Sequence, residues 1–86
     1  MTDIERIYSY YGLNHQIDKT CEECGELIQA LMKGRCNGYS AEDVANVQEE
    51  LADVKIMIEQ MLIPFGSINR IVEQKIKRTL DRMVKE

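Results

Sequence analysis

The sequence has few of the residues that mark secreted, disulfide-bonded or membrane-spanning proteins. Its 86 residues include one proline, one phenylalanine, no tryptophan and three cysteines. An odd number of cysteines does not form a disulfide framework, which agrees with a reducing compartment. No apolar run approaches the roughly 18 residues of a transmembrane helix, and the acidic start MTDIER lacks the features of a signal peptide. We therefore expect a cytoplasmic protein that does not enter a membrane.

Basic residues are also scarce over most of the chain. Residues 1–67 contain five Lys/Arg and twelve Asp/Glu, a net charge of −7, whereas residues 68–86 contain six and three, a net charge of +3. A domain that binds nucleic acid normally carries a basic patch on a basic background. The acidic background argues against polymeric nucleic acid as a partner.

The composition is that of a small helical domain, with 44% hydrophobic and 30% charged residues. A chain of this size forms one domain, spanning residues 1–86, and lies near the lower limit for burying a sizeable core. We therefore expect a homo-oligomer, either a dimer or a dimer of dimers.

Apolar periodicity and capping residues predict four helices and no strand. A capping box of Thr2 and Glu5 opens the first helix, which ends at Gly12. Asn14 is the predicted cap of a second helix that runs to about Lys33, and GRCNGYS at 34–40 is predicted to be a turn.

The third and fourth helices have equally clear predicted boundaries. Ser40 with Asp43 is the predicted cap of the third helix, and Pro64 with Gly66 ends it. Ser67 caps the fourth. The second and third helices are the longest, and a short connection makes them antiparallel neighbours.

Helical spacing also predicts which residues face the core. On helix two these are Ile17, Cys21, Cys24, Ile28 and Leu31. On helix three they are Val44, Val47, Leu51, Val54, Ile58 and Met61. On helix four they are Ile68, Ile71, Val72, Ile76, Leu80 and Met83. Cys21 and Cys24 form a C-x-x-C, but only Cys36 and His15 remain as further zinc ligands. Small core-facing side chains are the favoured interpretation of this pair.

Two acidic pairs flank these apolar rows. Glu23 and Glu26 on the second helix, and Glu50 and Asp53 on the third, are each spaced i, i+3. In antiparallel helices the four carboxylates would converge, and without a cation they would repel one another. Oxygen ligands suit Mg²⁺ or Mn²⁺ better than zinc. Solvated helix flanks are the alternative interpretation.

A basic row on the fourth helix complements this predicted metal site. Lys75, Arg78 and Arg82 follow one side of the helix and are suited to phosphate binding. Because a polyanion approaches an acidic site only through a metal, a nucleotide or similar phosphate ester is the expected substrate class.

The motifs EECGE and EELAD resemble the E-E-x-x-E and E-x-x-D signature of the all-α, MazG-like nucleoside triphosphate pyrophosphohydrolases. The resemblance runs from YGLNHQIDKTCEECGELIQALMK through VQEELADVKIMIEQM to KIKRTLDRM. It implies a four-helix subunit that hydrolyses a nucleoside triphosphate, often a deoxy or non-standard one, to monophosphate and pyrophosphate with Mg²⁺ or Mn²⁺. The family's metal ligands correspond to Glu23, Glu26, Glu50 and Asp53.

Other family roles correspond to further residues. Glu22, the first glutamate of the motif, would orient or deprotonate the attacking water, with a solvated position on the helix face as the alternative interpretation. Lys75 and Arg82 match a substrate-binding Lys, Asn, Arg pattern in which Thr79 replaces the asparagine, and Arg78 lies beside them. Because that asparagine helps to hold the nucleotide in relatives, Thr79 bears on both substrate identity and catalytic strength.

The first two helices offer contacts for a base or sugar. These are Tyr8, Tyr11, His15 and Gln16. Core packing is the alternative for the tyrosines, and a surface position near a helix start is the alternative for His15. Two other functions stay open. One is phosphoribosyl-ATP pyrophosphohydrolase activity, on a related fold and carboxylate pattern, and the other is a helical interaction module without turnover.

Overall fold

The structure is a computed structural model that describes residues 1–85. This part of the chain consists of four helices and contains no strand. They are α1 (Asp3–Tyr11), α2 (Leu13–Asn37), α3 (Ala41–Phe65) and α4 (Asn69–Lys85). The all-α prediction is therefore confirmed. The two 25-residue helices α2 and α3 pack side by side, and α1 packs against both. No helix within residues 1–85 has the length and apolarity required to cross a bilayer.

Local capping determines most of the helix ends. Thr2 and Glu5 form the predicted capping box of α1, with the Glu5 amide donating to Thr2 Oγ1 over 3.1 Å. Ser40 and Asp43 form the same motif at the start of α3. The prediction for α2 is wrong at both ends, because the helix begins at Leu13, before Asn14, and continues beyond Lys33 to Asn37. Gly12, with φ of +85°, turns the chain between α1 and α2 without a loop.

Only the last residues of the predicted 34–40 turn lie outside a helix. Gly38 ends α2 in the left-handed conformation, and the Tyr39 hydroxyl donates to the Leu31 carbonyl over 2.8 Å. The Tyr39 ring lies so close to Gly34 that a Cβ there would overlap it. Gly34 therefore remains helical and allows a short connection that sets α2 and α3 antiparallel.

The seam between α2 and α3 is more polar than predicted. Its buried residues are Gln16, Glu23, Ala30 and Gly34 on α2 and Asp43, Val54, Met57 and Gln60 on α3. The predicted core row of α2 is largely exposed, with Ile28 at 62% and Cys21 and Cys24 also exposed. The core-facing interpretation of the cysteines is therefore wrong. On α3, Val54 is buried as predicted, but Val44, Leu51 and Ile58 are exposed.

A rotation of one residue explains this difference. The exposed Leu51 and Ile58 each come one residue after a seam position, half-buried Glu50 and buried Met57, and one residue turns a side chain about 100° around the helix. On both helices the exposed apolar row comes one residue after the seam row. Because α2 and α3 are antiparallel, this shift turns both apolar rows towards the same side of the helix pair. Glu22, one residue before buried Glu23, lies on the opposite side.

Helix α4 packs against no other helix of the described chain. None of its Cα atoms lies within 8 Å of a Cα atom in α1, α2 or α3. All its described residues are exposed, so the predicted inward positions Ile68, Ile71, Val72, Ile76, Leu80 and Met83 are not covered by their own chain. The prediction that Ser67 caps α4 is one residue off, because α4 begins at Asn69 and Ile68 directly precedes it; the Ser67 Oγ accepts from the Asn69 amide over 3.4 Å.

The single chain is consequently open. Its radius of gyration is 16.2 Å, against about 12 Å for a compact domain of this length. Its accessible surface is 6987 Å², against about 5,200 Å² for a folded monomer of 10.0 kDa. Only Ala30, Val54 and Met57 form the buried hydrophobic core within residues 1–85.

Candidate functional site

Five carboxylates meet where the middle of α2 crosses the middle of α3. Glu22, Glu23 and Glu26 each offer an oxygen within 4.8 Å of the others, and so do Glu23, Glu50 and Asp53. Glu23 belongs to both groups because it lies in the seam and faces α3. The structure thus brings together all five acidic residues that the sequence indicated.

Two of these carboxylates have a buried oxygen without a partner. Glu23 is 6% exposed, and its Oε2, like Glu50 Oε2, has no hydrogen-bond partner within residues 1–85. Leaving a buried acceptor unpaired costs about 1–3 kcal/mol, and more when it is charged. Unpaired carboxylate oxygens that converge with further carboxylates fit a hard divalent cation such as Mg²⁺ or Mn²⁺.

Lys19 is a member of this cluster that the sequence analysis missed. Its Nζ lies 3.1 Å from Glu23 Oε1 and 3.6 Å from Glu22 Oε1. The hydrogen bond that Lys19 donates to the Glu23 carboxylate, together with the charge of Glu22, raises the pKa of Lys19. The i, i+3 and i, i+4 spacing from Lys19 to the two glutamates was the available signal. One lysine leaves most of the cluster's negative charge unbalanced.

The remaining repulsion acts on Glu26. The charge of Glu23, then burial, and then the charges of Glu50 and Glu22 raise the pKa of Glu26, while Lys19 opposes the shift. A raised pKa in the folded protein means that folding favours the protonated carboxyl. This contribution to stability is present in acid and is lost as the pH rises through the folded-state pKa.

Substitution Glu26→Gln is therefore expected to stabilise the metal-free protein at neutral pH, where Glu26 is charged. The difference from wild type should disappear as the pH falls towards 4.5, the ordinary value of this carboxyl. Thermal melts with a chelator from pH 4.5 to 8 measure this effect. An advantage of the variant that grows on acidification would contradict the assignment of repulsion to Glu26.

A cavity of about 530 Å³ opens beside the cluster, between α1, α2 and α3. Lys19 and Glu22 line the side towards the carboxylates, and the apolar side chains of Ile7, Ile56 and Met57 line it elsewhere. Gln16, Tyr11 and His15, three of the four predicted base or sugar contacts, also line it. Its volume falls within the range of about 300–1,000 Å³ that small-molecule sites occupy.

Two glutamines are hydrogen-bonded to each other beneath the cavity. Gln16 Nε2 donates to Gln60 Oε1 over 2.7 Å, and His15 Nδ1 lies 2.7 Å from Gln16 Oε1. The His15 ring stacks on Tyr11 with centroids 4.7 Å apart. Gln60, only 1% exposed, was missed by the sequence analysis because its partner lies 44 residues away.

Gln16→Leu is expected to lower the free energy of unfolding by about 1–3 kcal/mol, since it leaves the Gln60 amide buried without its partner. Gln16→Leu combined with Gln60→Leu should be less destabilising than the single variant, because both polar groups are then removed. Denaturant unfolding of the two singles and the double measures the coupling. Additive losses would show that the two amides do not depend on each other.

The predicted phosphate-binding residues are not brought to the carboxylates by their own chain. Lys75, Arg78, Thr79 and Arg82 line one shallow groove on the exposed surface of α4. The Thr79 hydroxyl donates to the Lys75 carbonyl over 2.9 Å. The acidic cluster and the basic row are therefore separate surfaces of the described chain.

No protein family, curated protein or solved structure matches the chain.

Proposed function

We propose that the protein hydrolyses a nucleoside triphosphate to the monophosphate and pyrophosphate, as a MazG-like enzyme that depends on Mg²⁺ or Mn²⁺. The observation that carries this proposal is the pair of buried, unpartnered oxygens of Glu23 and Glu50 within a five-carboxylate cluster. A structural salt-bridge cluster would supply partners for such oxygens. A cation that also binds phosphate accounts for both the cluster and the adjoining cavity.

Different residues of the chain would bind the cation and accept a proton from water. Glu23, Glu26, Glu50 and Asp53 would hold the cation, which when bound offsets phosphate charge and lowers the pKa of a coordinated water. Glu22 lines the cavity as well as the cluster. It is thus positioned to accept a proton from water at the boundary between the two.

The cavity would take the nucleoside part of the substrate. Gln16 and Gln60 supply amide donors and acceptors at its floor, and the stacked Tyr11 and His15 rings supply an aromatic surface at its edge. A mostly apolar cavity with a few convergent polar groups suits a base and sugar. The proposed enzyme is a cytoplasmic homodimer or homotetramer, since three apolar residues give the single chain too little core.

Pyrophosphate release from a panel of ribo- and deoxynucleoside triphosphates, with Mg²⁺ or Mn²⁺ and with chelator as control, tests the proposal. We expect release that requires the metal. Turnover of phosphoribosyl-ATP alone would assign the protein to that reaction instead. Absence of turnover with every nucleotide, in protein that binds the metal, would favour the interaction module.

A further inference from the structure

The five carboxylates of the cluster form two groups that share one residue. The first group is Glu22, Glu23 and Glu26, and the second is Glu23, Glu50 and Asp53. In each group the carboxylate oxygens lie within 4.8 Å of one another. Two groups with a carboxylate in common resemble the sites that hold two divalent cations about 3.5–4 Å apart. Carboxylate positions alone would therefore allow two cations in each chain.

The first group already has a cation of its own, the ammonium group of Lys19. Lys19 Nζ lies 3.6 Å from Glu22 Oε1 and 3.1 Å from Glu23 Oε1. Lys19 precedes these glutamates on α2 by three and four residues, the spacings at which side chains meet on one helix face. An ammonium group has several N–H donors and can bridge two carboxylates as a metal ion would.

The second group has no such cation. Glu23 Oε2 and Glu50 Oε2 are buried, and neither has a hydrogen-bond partner within residues 1–85. In that part of the chain no lysine or arginine nitrogen lies within 4.0 Å of a carboxylate oxygen of Glu50 or Asp53. The two oxygens of Glu23 therefore differ, because Oε1 contacts Lys19 while Oε2 is unpaired. The second group is the one that needs a cation from solution.

We infer that each chain binds a single divalent cation, at the second group, and that the Lys19 ammonium takes the place of another metal ion at the first. The inference rests on the proposed function, because it concerns the same metal site. Glu26 belongs to the first group but forms no ion pair with Lys19, so its carboxylate remains free to ligate the divalent cation. The sequence supplies this difference between the groups through one residue.

Lys19 also faces the place where a substrate would bind. It lines the cavity with Glu22, and its side chain is 43% exposed. The ammonium can therefore donate to a phosphate while it remains beside Glu22 and Glu23. Unlike a metal ion, an ammonium group does not lower the pKa of a coordinated water. Activation of water would then depend on the one metal ion and on Glu22.

Titration of the nucleotide-free protein with Mn²⁺ in a calorimeter counts the bound ions. We expect one Mn²⁺ per chain for the wild type and two for Lys19→Met, since methionine keeps the length of the side chain but leaves the first group without a cation. Lys19→Arg keeps the charge and should bind one. Lys19→Met combined with Glu22→Gln should also return to one, because Glu22 belongs to the first group alone.

Lys33→Met is the matched control for the charge. Lys33 is an exposed lysine on the same helix, about 21 Å from Lys19 along the helix axis at 1.5 Å per residue. This variant should bind one Mn²⁺ per chain, as the wild type does. Two Mn²⁺ in Lys33→Met as well would show that net charge sets the count, which would overturn the role of Lys19.

Electron paramagnetic resonance shows where the second ion binds. Two Mn²⁺ ions that share Glu23 should be about 3.5–4 Å apart and magnetically coupled in Lys19→Met. The wild type should give the spectrum of isolated ions. A second ion that is not coupled to the first would be bound elsewhere, which would overturn the exchange of the ammonium for a metal ion.

These measurements separate the inference from the proposed function. Two Mn²⁺ per wild-type chain, or one in Lys19→Met, would overturn the inference and leave the proposed metal site in place. One ion in the wild type and two coupled ions in Lys19→Met, in a protein that releases no pyrophosphate, would support the inference while the proposed hydrolysis fails. A wild-type protein that binds no Mn²⁺ would overturn both.

Discussion

Glu23→Gln is expected to abolish divalent-cation binding and to lower turnover about 1,000-fold, because Glu23 is the one residue that belongs to both carboxylate groups. A bound metal contributes several kcal/mol to the transition state, and each 1.4 kcal/mol corresponds to about tenfold in rate. Calorimetric titration with Mn²⁺ and pyrophosphate release measure the two losses. Helical content should be retained, since the substitution also removes repulsion at the seam.

Glu59→Gln is the matched control for that variant. Glu59 is an exposed glutamate on α3 outside both carboxylate groups, so the same charge is removed without touching the site. It should bind metal and turn over substrate as wild type does. Unchanged Mn²⁺ affinity in Glu23→Gln would contradict the proposed metal site. Equal losses of Mn²⁺ affinity and turnover in both variants would show that the effect comes from net charge alone.

Ile76→Asp combined with Leu80→Asp is expected to dissociate the proposed homo-oligomer. The two apolar side chains contribute about 1.5–3 kcal/mol each when buried, and a charge at the contact adds a desolvation cost. The dissociation constant should therefore rise about 1,000-fold or more. Sedimentation should show monomers at micromolar concentration, and the helical signal should fall as the 17 residues of α4 lose their support.

Lys77→Asp is the control for this second prediction. It changes the net charge by the same amount as the double variant, and Lys77 lies away from the apolar row of α4. We expect it to remain oligomeric with nearly unchanged melting temperature, since exposed helix charges contribute under about 1 kcal/mol. A wild-type protein that is already monomeric at these concentrations would contradict the proposed homo-oligomer.

Helices and caps could be predicted because their determinants lie within a few residues. Thr2 with Glu5 and Ser40 with Asp43 each form their motif three residues apart, and both predictions are confirmed. Asn14 is wrong as a cap because Gly12, with φ of +85°, lets α2 begin earlier. Several glycines lie near predicted helix ends, and the sequence does not show which of them adopts a positive φ.

The orientation of the helices was harder to predict. Periodicity correctly identifies an apolar row such as Leu51 and Ile58, but it does not say whether the chain itself covers that row. The seam within the subunit follows the neighbouring row, where Glu50 and Met57 lie. A prediction that assumes one chain buries all its apolar rows fails whenever assembly completes the core.

The candidate site shows the same division between local and distant determinants. Convergence of Glu23, Glu26, Glu50 and Asp53 followed from i, i+3 spacing on two long neighbouring helices. The same spacing rule applies to Lys19, which the sequence analysis missed. Local spacing could not predict the role of Gln60, because its partner Gln16 lies on another helix, 44 residues away in the sequence.

The turn at Gly34 and Tyr39 has a consequence for the order of folding. It closes the α2–α3 pair through a connection of three residues, so the contacts that bring the carboxylates together are topologically simple and should form on a fast timescale. Helix α4 packs against no other helix of the described chain, so in the proposed homo-oligomer it would be covered only when chains meet, a step that is slower and depends on concentration. The acidic cluster should therefore form in the newly folded monomer, before the proposed association covers α4.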